Sequence, residues 1–170
     1  HHFRQLLGAI VKAPLQSIGT LPMLNNMDKH QLLVEFNHKK VEYRSDLHII
    51  DLFEDQVIKN PDAIALVFDE EQLSYRQLNE WSNQVAHYLA GKGVKEETLV
   101  PICIERSIDL VVGMLGILKS GGAYVPIDPA YPEDRIRYML EDNRAAIVIS
   151  CDAVKSKLTI GQGVRLVSLD

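Results

Sequence analysis

Two textures alternate along this chain: apolar residues that return every three or four positions, and short unbroken apolar runs. In "FRQLLGAIVKAP", Phe3, Leu6, Leu7, Ile10 and Val11 fall at helical spacing and Pro14 stops the run, which predicts one short helix over residues 1–13. From Pro14 to about Asp46 the period breaks up. Only "MDKHQLLVEF" keeps it, with Asp28 and Gln31 placed as a D-x-x-Q capping box and Met27 and Leu32 as its hydrophobic staple. Residues 14–46 therefore read as a linker carrying one helix.

Beyond Asp46 the texture becomes regular. "LHIIDLFEDQVIKN" puts Ile50, Phe53 and Val57 on one face and ends before Pro61; "AIALVFD" follows as a strand, "DEEQ" as a turn and "QLSY" as a short partner. The clearest local signal is "LSYRQLNEWSNQVAHYLAGKG". Ser74 caps the N–H of Gln77 while Gln77 reaches back, and Leu73 staples onto Leu78, so two otherwise unpaired amides are satisfied. Leu78, Trp81, Val85 and Tyr88 form the predicted buried stripe, and Gly91 or Gly93 supplies the left-handed turn that ends the helix.

From Thr98 onward strands and helices alternate: "TLVPICI", a helix from Ser107 to about Lys119, "AYVPI", a helix from Pro132 to about Asp142, "AAIVIS" and "VRLVSLD". Short apolar strands separated by helices make right-handed βαβ units, so residues 47–170 are expected to form an α/β domain: a mostly parallel sheet with flanking helices. The helix after Ser107 is apolar nearly all round and must be covered on more than one side. Gly113 and Gly116 would let another element approach its backbone. No internal repeat is present, and the chain stops at Asp170 directly after a strand, which is expected of a piece of something larger.

Composition narrows the partners. With 46% apolar and 24% charged residues, the 170-residue chain is an ordinary folded one, long enough for a real core. Eighteen Lys and Arg against 23 Asp and Glu leave a net charge of −5, without a basic block interleaved with aromatics, which argues against nucleic acid. The most apolar run, "SIDLVVGMLGILKSGGAYVPI", is broken by Asp109, Lys119 and several glycines and is a poor membrane span. Cys103 and Cys151 have no C-x-x-C spacing and no signal peptide precedes them, which fits a reducing, cytoplasmic setting. His1 and His2 fit a tag remnant and a native helix start equally well.

Candidate chemistry is sparse. Phosphate binds at helix N-termini, whereas Gly121 and Gly122 follow a helix and precede a strand. A C-terminal cap and tight turn is the favoured reading, with a phosphate cradle as the alternative. The pairs Gly91 with Gly93 and Gly161 with Gly163 also lack a strand-to-helix context. "DPAYPEDR" places Pro132 at the first helical position with Glu133 and Asp134 in the first turn. Arg135 is either solvated or tied to Asp128 by a bidentate pair, with a ligand contact the less favoured reading. His30, His38, His48 and His87 share no metal-ligand spacing, and Ser74 and Ser107 are caps outside any G-x-S-x-G context. Asp69, Glu70 and Glu71 sit at a predicted turn, where solvation explains them. No catalytic, cofactor-binding or metal-ligating residue is assigned.

Two stretches resemble a known family. "LSYRQLNEWSNQVAHYL" and "LKSGGAYVPIDPAYPEDRIRYMLED" are similar to the first and second core motifs of nonribosomal peptide synthetase adenylation domains, in the right order. "HIIDLFEDQVIKNPDAIALVFDEEQLSY" and "VPICIERSIDLVVGMLGILKSGGAYVPID" resemble the same family. "HFRQLLGAIVKAP" resembles the last helix of a condensation domain, and "SIGTLPMLNNMDKHQLLVEFN" the linker between condensation and adenylation domains. Acyl-CoA synthetases and luciferases share the fold but would not be expected to carry this linker.

The resemblance implies the first part of the large subdomain of an adenylate-forming enzyme, with residues 1–13, 14–46 and 47–170 as condensation helix, linker and adenylation segment. It implies activation of an amino acid by ATP with Mg²⁺ and transfer to the phosphopantetheine thiol of a downstream carrier domain, with an upstream condensation domain as the other partner. The family's phosphate loop, substrate aspartate, adenine and ribose contacts and lysine lie downstream of Asp170, so the chain by itself is expected to be inactive and to bind no cofactor. What carries over onto residues here is structural. It comprises Leu73, Ser74, Tyr75 and Leu78 in the first motif, and Leu118, Lys119, Gly121, Gly122, Ala123, Tyr124, Val125, Pro126 and Asp128 in the second. They are expected to brace the sheet rather than touch substrate. Ser120 stands where family members often have Ala. The rival from another class is a non-catalytic docking module for a condensation domain, motivated by the apolar "LPML" and Phe36.

If the double glycine is a turn with positive φ, Gly121→Val lowers the melting temperature. An unchanged thermal melt would count against the turn.

Overall fold

The computed structural model describes residues 1–38, 44, 46–155, 158–161 and 163–169. The chain divides into two units, His1–Ser45 and Asp46–Asp170. In the first, helix α1 (His2–Lys12) is followed by a single 3₁₀ turn over Ile18–Thr20 and by α2 (Asn26–His30), which continues as a wider π-type turn over Gln31–Glu35. The cap of α2 is Asn25 rather than Asp28: Asn25 Oδ1 accepts the Asp28 N–H at 2.7 Å. Asn caps as well as Asp does, and starting one turn early leaves the Asp28 carboxylate in the first turn, at the positive end of the helix. The last part of the predicted linker, residues 39–43 and 45, lies outside the described residues.

The second unit begins with α3 (Ile49–Lys59), entered at His48, whose N–H donates to Asp51 Oδ2 at 2.7 Å. Ile50, Phe53 and Val57 are its half-buried face. β1 (Ile64–Phe68) and β2 (Glu71–Ser74) form an antiparallel hairpin. Its turn is Asp69 and Glu70 alone, shorter than the predicted "DEEQ", because a two-residue turn matches strand twist and Asp69 accepts a φ of +51°. The capping box on α4 (Tyr75–Gly91) is formed: Gln77 N–H donates to Ser74 Oγ at 3.3 Å and Ser74 N–H to Gln77 Oε1 at 2.9 Å.

The buried stripe of α4 is turned from the predicted one. Leu78, Ser82, Ala86 and Leu89 are buried and Val85 is half-buried, while Trp81 and Tyr88 remain 42% and 45% exposed. The reason is the neighbour. On α5 (Ile108–Lys119), a Cβ on Gly116 would lie 2.5 Å from Val85 Cγ1 and 3.3 Å from the Ser82 carbonyl. Backbones that approach so closely need small residues at the seam, so Ser82 and Ala86 take it and the large rings move to its edges.

The core of the unit is a four-stranded parallel sheet of β3 (Leu99–Cys103), β4 (Ala123–Pro126), β5 (Ile147–Ser150) and β6 (Arg165–Ser168), in the order β4-β3-β5-β6. Val100, Ile102, Val148 and Ile149 are sealed from solvent, the continuous apolar run of strands covered on both faces. Pro101 sits inside the central strand. Ile102 accepts the Ile127 N–H on the β4 side, so Pro101, pointing the other way, has no N–H to give β5. Accordingly β3 pairs with β5 only at Ile102 and Cys103, but with β4 from Leu99 to Ile102.

The ends of α4 and α5 share one geometry. Gly93 and Gly121 have φ of +91° and +87°, each donating to the carbonyl three residues back, and the following Val94 and Gly122 donate to Leu89 and Ile117. Both are Schellman turns, and Gly121 and Gly122 are thereby accounted for. A Cβ on Gly122 would meet Val94 Cγ1 at 2.9 Å and the Thr98 carbonyl at 3.2 Å, so the second glycine serves close packing. α6 (Glu133–Asp142) starts one residue later than predicted, with Pro132 as its cap at ψ 141°, outside the helical range. Arg135 stacks at 4.1 Å over the Tyr131 ring, and Asp128 Oδ1 instead accepts the Ala130 N–H at 2.9 Å. A short helix, α7 (Asp152–Lys155), follows β5 where none was predicted.

Gly116→Ala is expected to destabilise the fold by about 1–3 kcal/mol through overpacking, and Val85→Ala in the same chain to restore part of that loss. Chemical denaturation checks it; a Gly116→Ala chain as stable as the parent would mean that the helices do not meet there.

Candidate functional site

The topology itself opens a crevice. The step from β3 through α5 to β4 runs one way across the sheet, and the step from β4 through α6 to β5 returns past β3. With right-handed crossovers, α5 and α6 cover opposite faces, so the loops leaving β3 and β4 part at the carboxyl ends of these strands. That is where open parallel sheets hold ligands. A cleft of about 470 Å³ lies there, lined by Ile104, Glu105 and Arg106 after β3, Leu110 of α5, Pro126 at the end of β4, and Asp128 and Tyr131 after it.

Its chemistry is that of a binding wall. The floor is apolar, Arg106 supplies a guanidinium, Glu105 and Asp128 supply carboxylates, and Tyr131 presents a ring braced by Arg135. The titratable side chains of the lining are Glu105, Arg106, Asp128 and Tyr131. Among the described residues no group of three or more His, Cys, Asp or Glu side chains is placed to hold a metal ion. Cys103 and Cys151 are both buried. The N–H donors of Gly121 and Gly122 are spent on their own helix, which leaves no cradle there for a triphosphate.

The residues of the two sequence motifs do not converge on one point. Leu73 and Leu78 pack with Ile108 and Val112 in one apolar cluster, Ser74 caps α4, and Tyr75 lies 6.1 Å from the Phe53 ring. Leu118 and Val125 are half-buried; Tyr124 packs on the main core; Ala123 donates its N–H to Thr98. Gly121 and Gly122 lie before β4, and Pro126 and Asp128 line the cleft at its far end. Glu105, Arg106 and Tyr131 were missed as site residues. Their signal was positional, since they lie in the loops that leave two adjacent parallel strands.

Lys119 behaves unlike a surface lysine. Its side chain is 5% exposed, and its ammonium donates to Asn79 Oδ1 and Asn83 Oδ1 at 2.5 and 2.6 Å. It lies 3.9 Å from Glu54 Oε1 and 5.1 Å over the Phe53 ring. Burial lowers its pKa from the ordinary lysine value, with Glu54 opposing.

The family model of the AMP-binding enzyme matches residues 53–168. Bacitracin synthase 3 of Bacillus licheniformis is 48% identical over 149 residues, 88% of this chain and 2% of that protein. Gramicidin S synthase 2 of Aneurinibacillus migulanus is 45% identical over 159 residues, 94% of this chain and 4% of its own length. The chain thus spans only a few per cent of these relatives. Among solved structures, the nonribosomal peptide synthetase FmoA3 superposes with a TM-score of 0.78 at 26% identity, covering 99% of this chain and 18% of that one. The N-terminal subdomain of Klebsiella oxytoca NpsA gives 0.63 at 30% identity, covering 71% and 30%.

The lowered Lys119 pKa fixes the sign of a pH effect. Between that value and the unfolded 10.5 the unfolded chain binds more protons, so folding is favoured as pH rises. The unfolding free energy of the parent relative to Lys119→Met should therefore climb towards pH 10.5; a gap that is flat or shrinks in paired denaturation curves contradicts the assignment.

Proposed function

The chain belongs to the AMP-binding enzyme family, and on that premise we propose that it supplies the opening part of the large subdomain of an amino-acid-activating domain in a nonribosomal peptide synthetase. In this reading residues 1–13 are the last helix of a condensation domain, 14–46 the linker and 47–170 the adenylation segment. The observation that carries it is one of coverage. FmoA3 matches 99% of the chain, including its first unit, whereas the NpsA subdomain matches 71%, close to the share taken by Asp46–Asp170 alone. A stand-alone adenylate-forming enzyme, such as an acyl-CoA synthetase, leaves the first unit without a counterpart.

The reaction is attack of an amino-acid carboxylate on the α-phosphorus of ATP, giving an aminoacyl adenylate and pyrophosphate, followed by transfer to a carrier thiol. Phosphoryl chemistry needs cationic and backbone donors at the phosphates. Among the described residues no carboxylate cluster is placed to hold the Mg²⁺ of that step, and in this reading metal and triphosphate are held by other parts of the complete domain. The role left to these residues is to build the sheet and shape one wall of a ligand crevice at its carboxyl edge. Cys103 and Cys151 have no C-x-x-C spacing, which suits a reducing compartment, and we place the work in the cytoplasm; no described helix is long and apolar enough to cross a membrane. A docking module is the second reading, favoured by Phe36 and Met23, which are exposed within the first unit.

Amino-acid-dependent ATP–pyrophosphate exchange separates the readings. Exchange is expected from the chain continued past Asp170 in its native context and not from the 170 residues alone. Silence in both would favour docking, and exchange by the short chain would overturn the division of labour.

A further inference from the structure

The helix that opens the second unit is held differently from the helices it packs on. α4 buries four residues and α5 five, whereas α3 buries none completely. Its carboxyl end is pinned: Arg76 N–H donates to the Pro61 carbonyl at 2.9 Å, Tyr75 N–H to Ala63 at 3.0 Å, and the Arg76 guanidinium pairs with Asp62. The rest of α3 packs through its half-buried apolar face, and Glu54 reaches the Lys119 ammonium at 3.9 Å. The Lys119 ammonium has three protons. Two go to Asn79 and Asn83 of α4, and the third is left to face the Glu54 carboxylate and the Phe53 ring of α3.

Lifting α3 takes Phe53 from the cluster of Leu73, Leu78, Ile108 and Val112 but leaves the asparagine bonds of Lys119 unbroken. If α3 lifts away, Lys119 keeps both α4 partners and exchanges Glu54 and the Phe53 ring for water, so the α4–α5 seam stays intact. We propose that α3 is a detachable strap, hinged at Asn60 and Pro61 and latched by the Glu54–Lys119 pair. Its release lengthens the segment entering the compact unit by up to the eleven residues of α3, which is about 16 Å of reach if the helix persists and about 36–40 Å if it unwinds. The strap would adjust the tether of whatever precedes it while the sheet and cleft stay folded. Glu54 is half-exposed, so the latch is weak and salt-sensitive, as a reversible contact must be.

Hydrogen exchange followed by mass spectrometry on the 170-residue chain tests this. α3 amides should exchange faster than those of α4, α5 and β3, and Glu54→Gln should speed α3 alone by about two- to fivefold. In a Lys119→Met background the same substitution should have no further effect. If Lys119→Met fails to fold, a KCl titration of the parent takes its place, with α3 exchange rising and α4 exchange constant. The strap is overturned if α3 opens together with α4 and α5, or if Glu54→Gln leaves its exchange unchanged. An equal effect of Glu54→Gln with and without Lys119, or α3 exchange indifferent to KCl where the titration is used, overturns the latch.

Discussion

The second unit depends on the close approach of α4 and α5 at Gly116. A glycine there lets the Val85 methyl and the Ser82 carbonyl reach the α5 backbone, and this sets how α4 is rotated and which of its side chains are buried. α5 in turn lies on the sheet through Gly113, where a Cβ would meet Ile102 Cδ1 at 2.7 Å. Two missing side chains on successive turns therefore stack helix, helix and sheet into layers with little slack. The first turn of α5, capped by Ser107, then arrives at the edge of the cleft.

The same layering explains the character of the candidate site. Parallel strands bring their carboxyl ends to one edge, and the reversal of direction between β3 and β4 parts their loops there. The walls that result are loop residues resting on a buried apolar sheet: one arginine, two carboxylates and a stacked tyrosine over isoleucine, leucine and proline. Such a surface can orient and desolvate part of a ligand without bond-making chemistry of its own.

Stability is graded across the unit. The central strands β3 and β5 and the α4–α5 seam are largely sealed, while α3 rests on a half-buried face and a buried lysine that is satisfied largely by its other neighbours. Elements that move are drawn from the weakly held end of such a gradient. The lysine is costly to desolvate and its two asparagine partners offset only part of that cost, which is the physical reason its pKa falls.

Local chemistry was legible in the residues alone. The Ser74–Gln77 box, the Ser107 cap, the helix-ending glycines and the apolar strands each depend on neighbours within a few positions, and they stand as read from "LSYRQ", "RSID" and "LKSGGAYV". The order of the strands, the exposure of Trp81 and Tyr88, the place of Pro101 and the partners of Lys119 were decided by segments tens of residues away. Periodicity gives a helix its apolar side but not the shape of what it meets, so Gly116 shifted the stripe of α4 by one position. Glu105, Arg106 and Tyr131 carry no motif of their own; they became neighbours only because two parallel strands end side by side. The sequence by itself determined most of the elements and the caps that close α4 and α5, and the tertiary structure alone decided which side chains share a cleft or a charge, because those distances close only when the sheet is assembled.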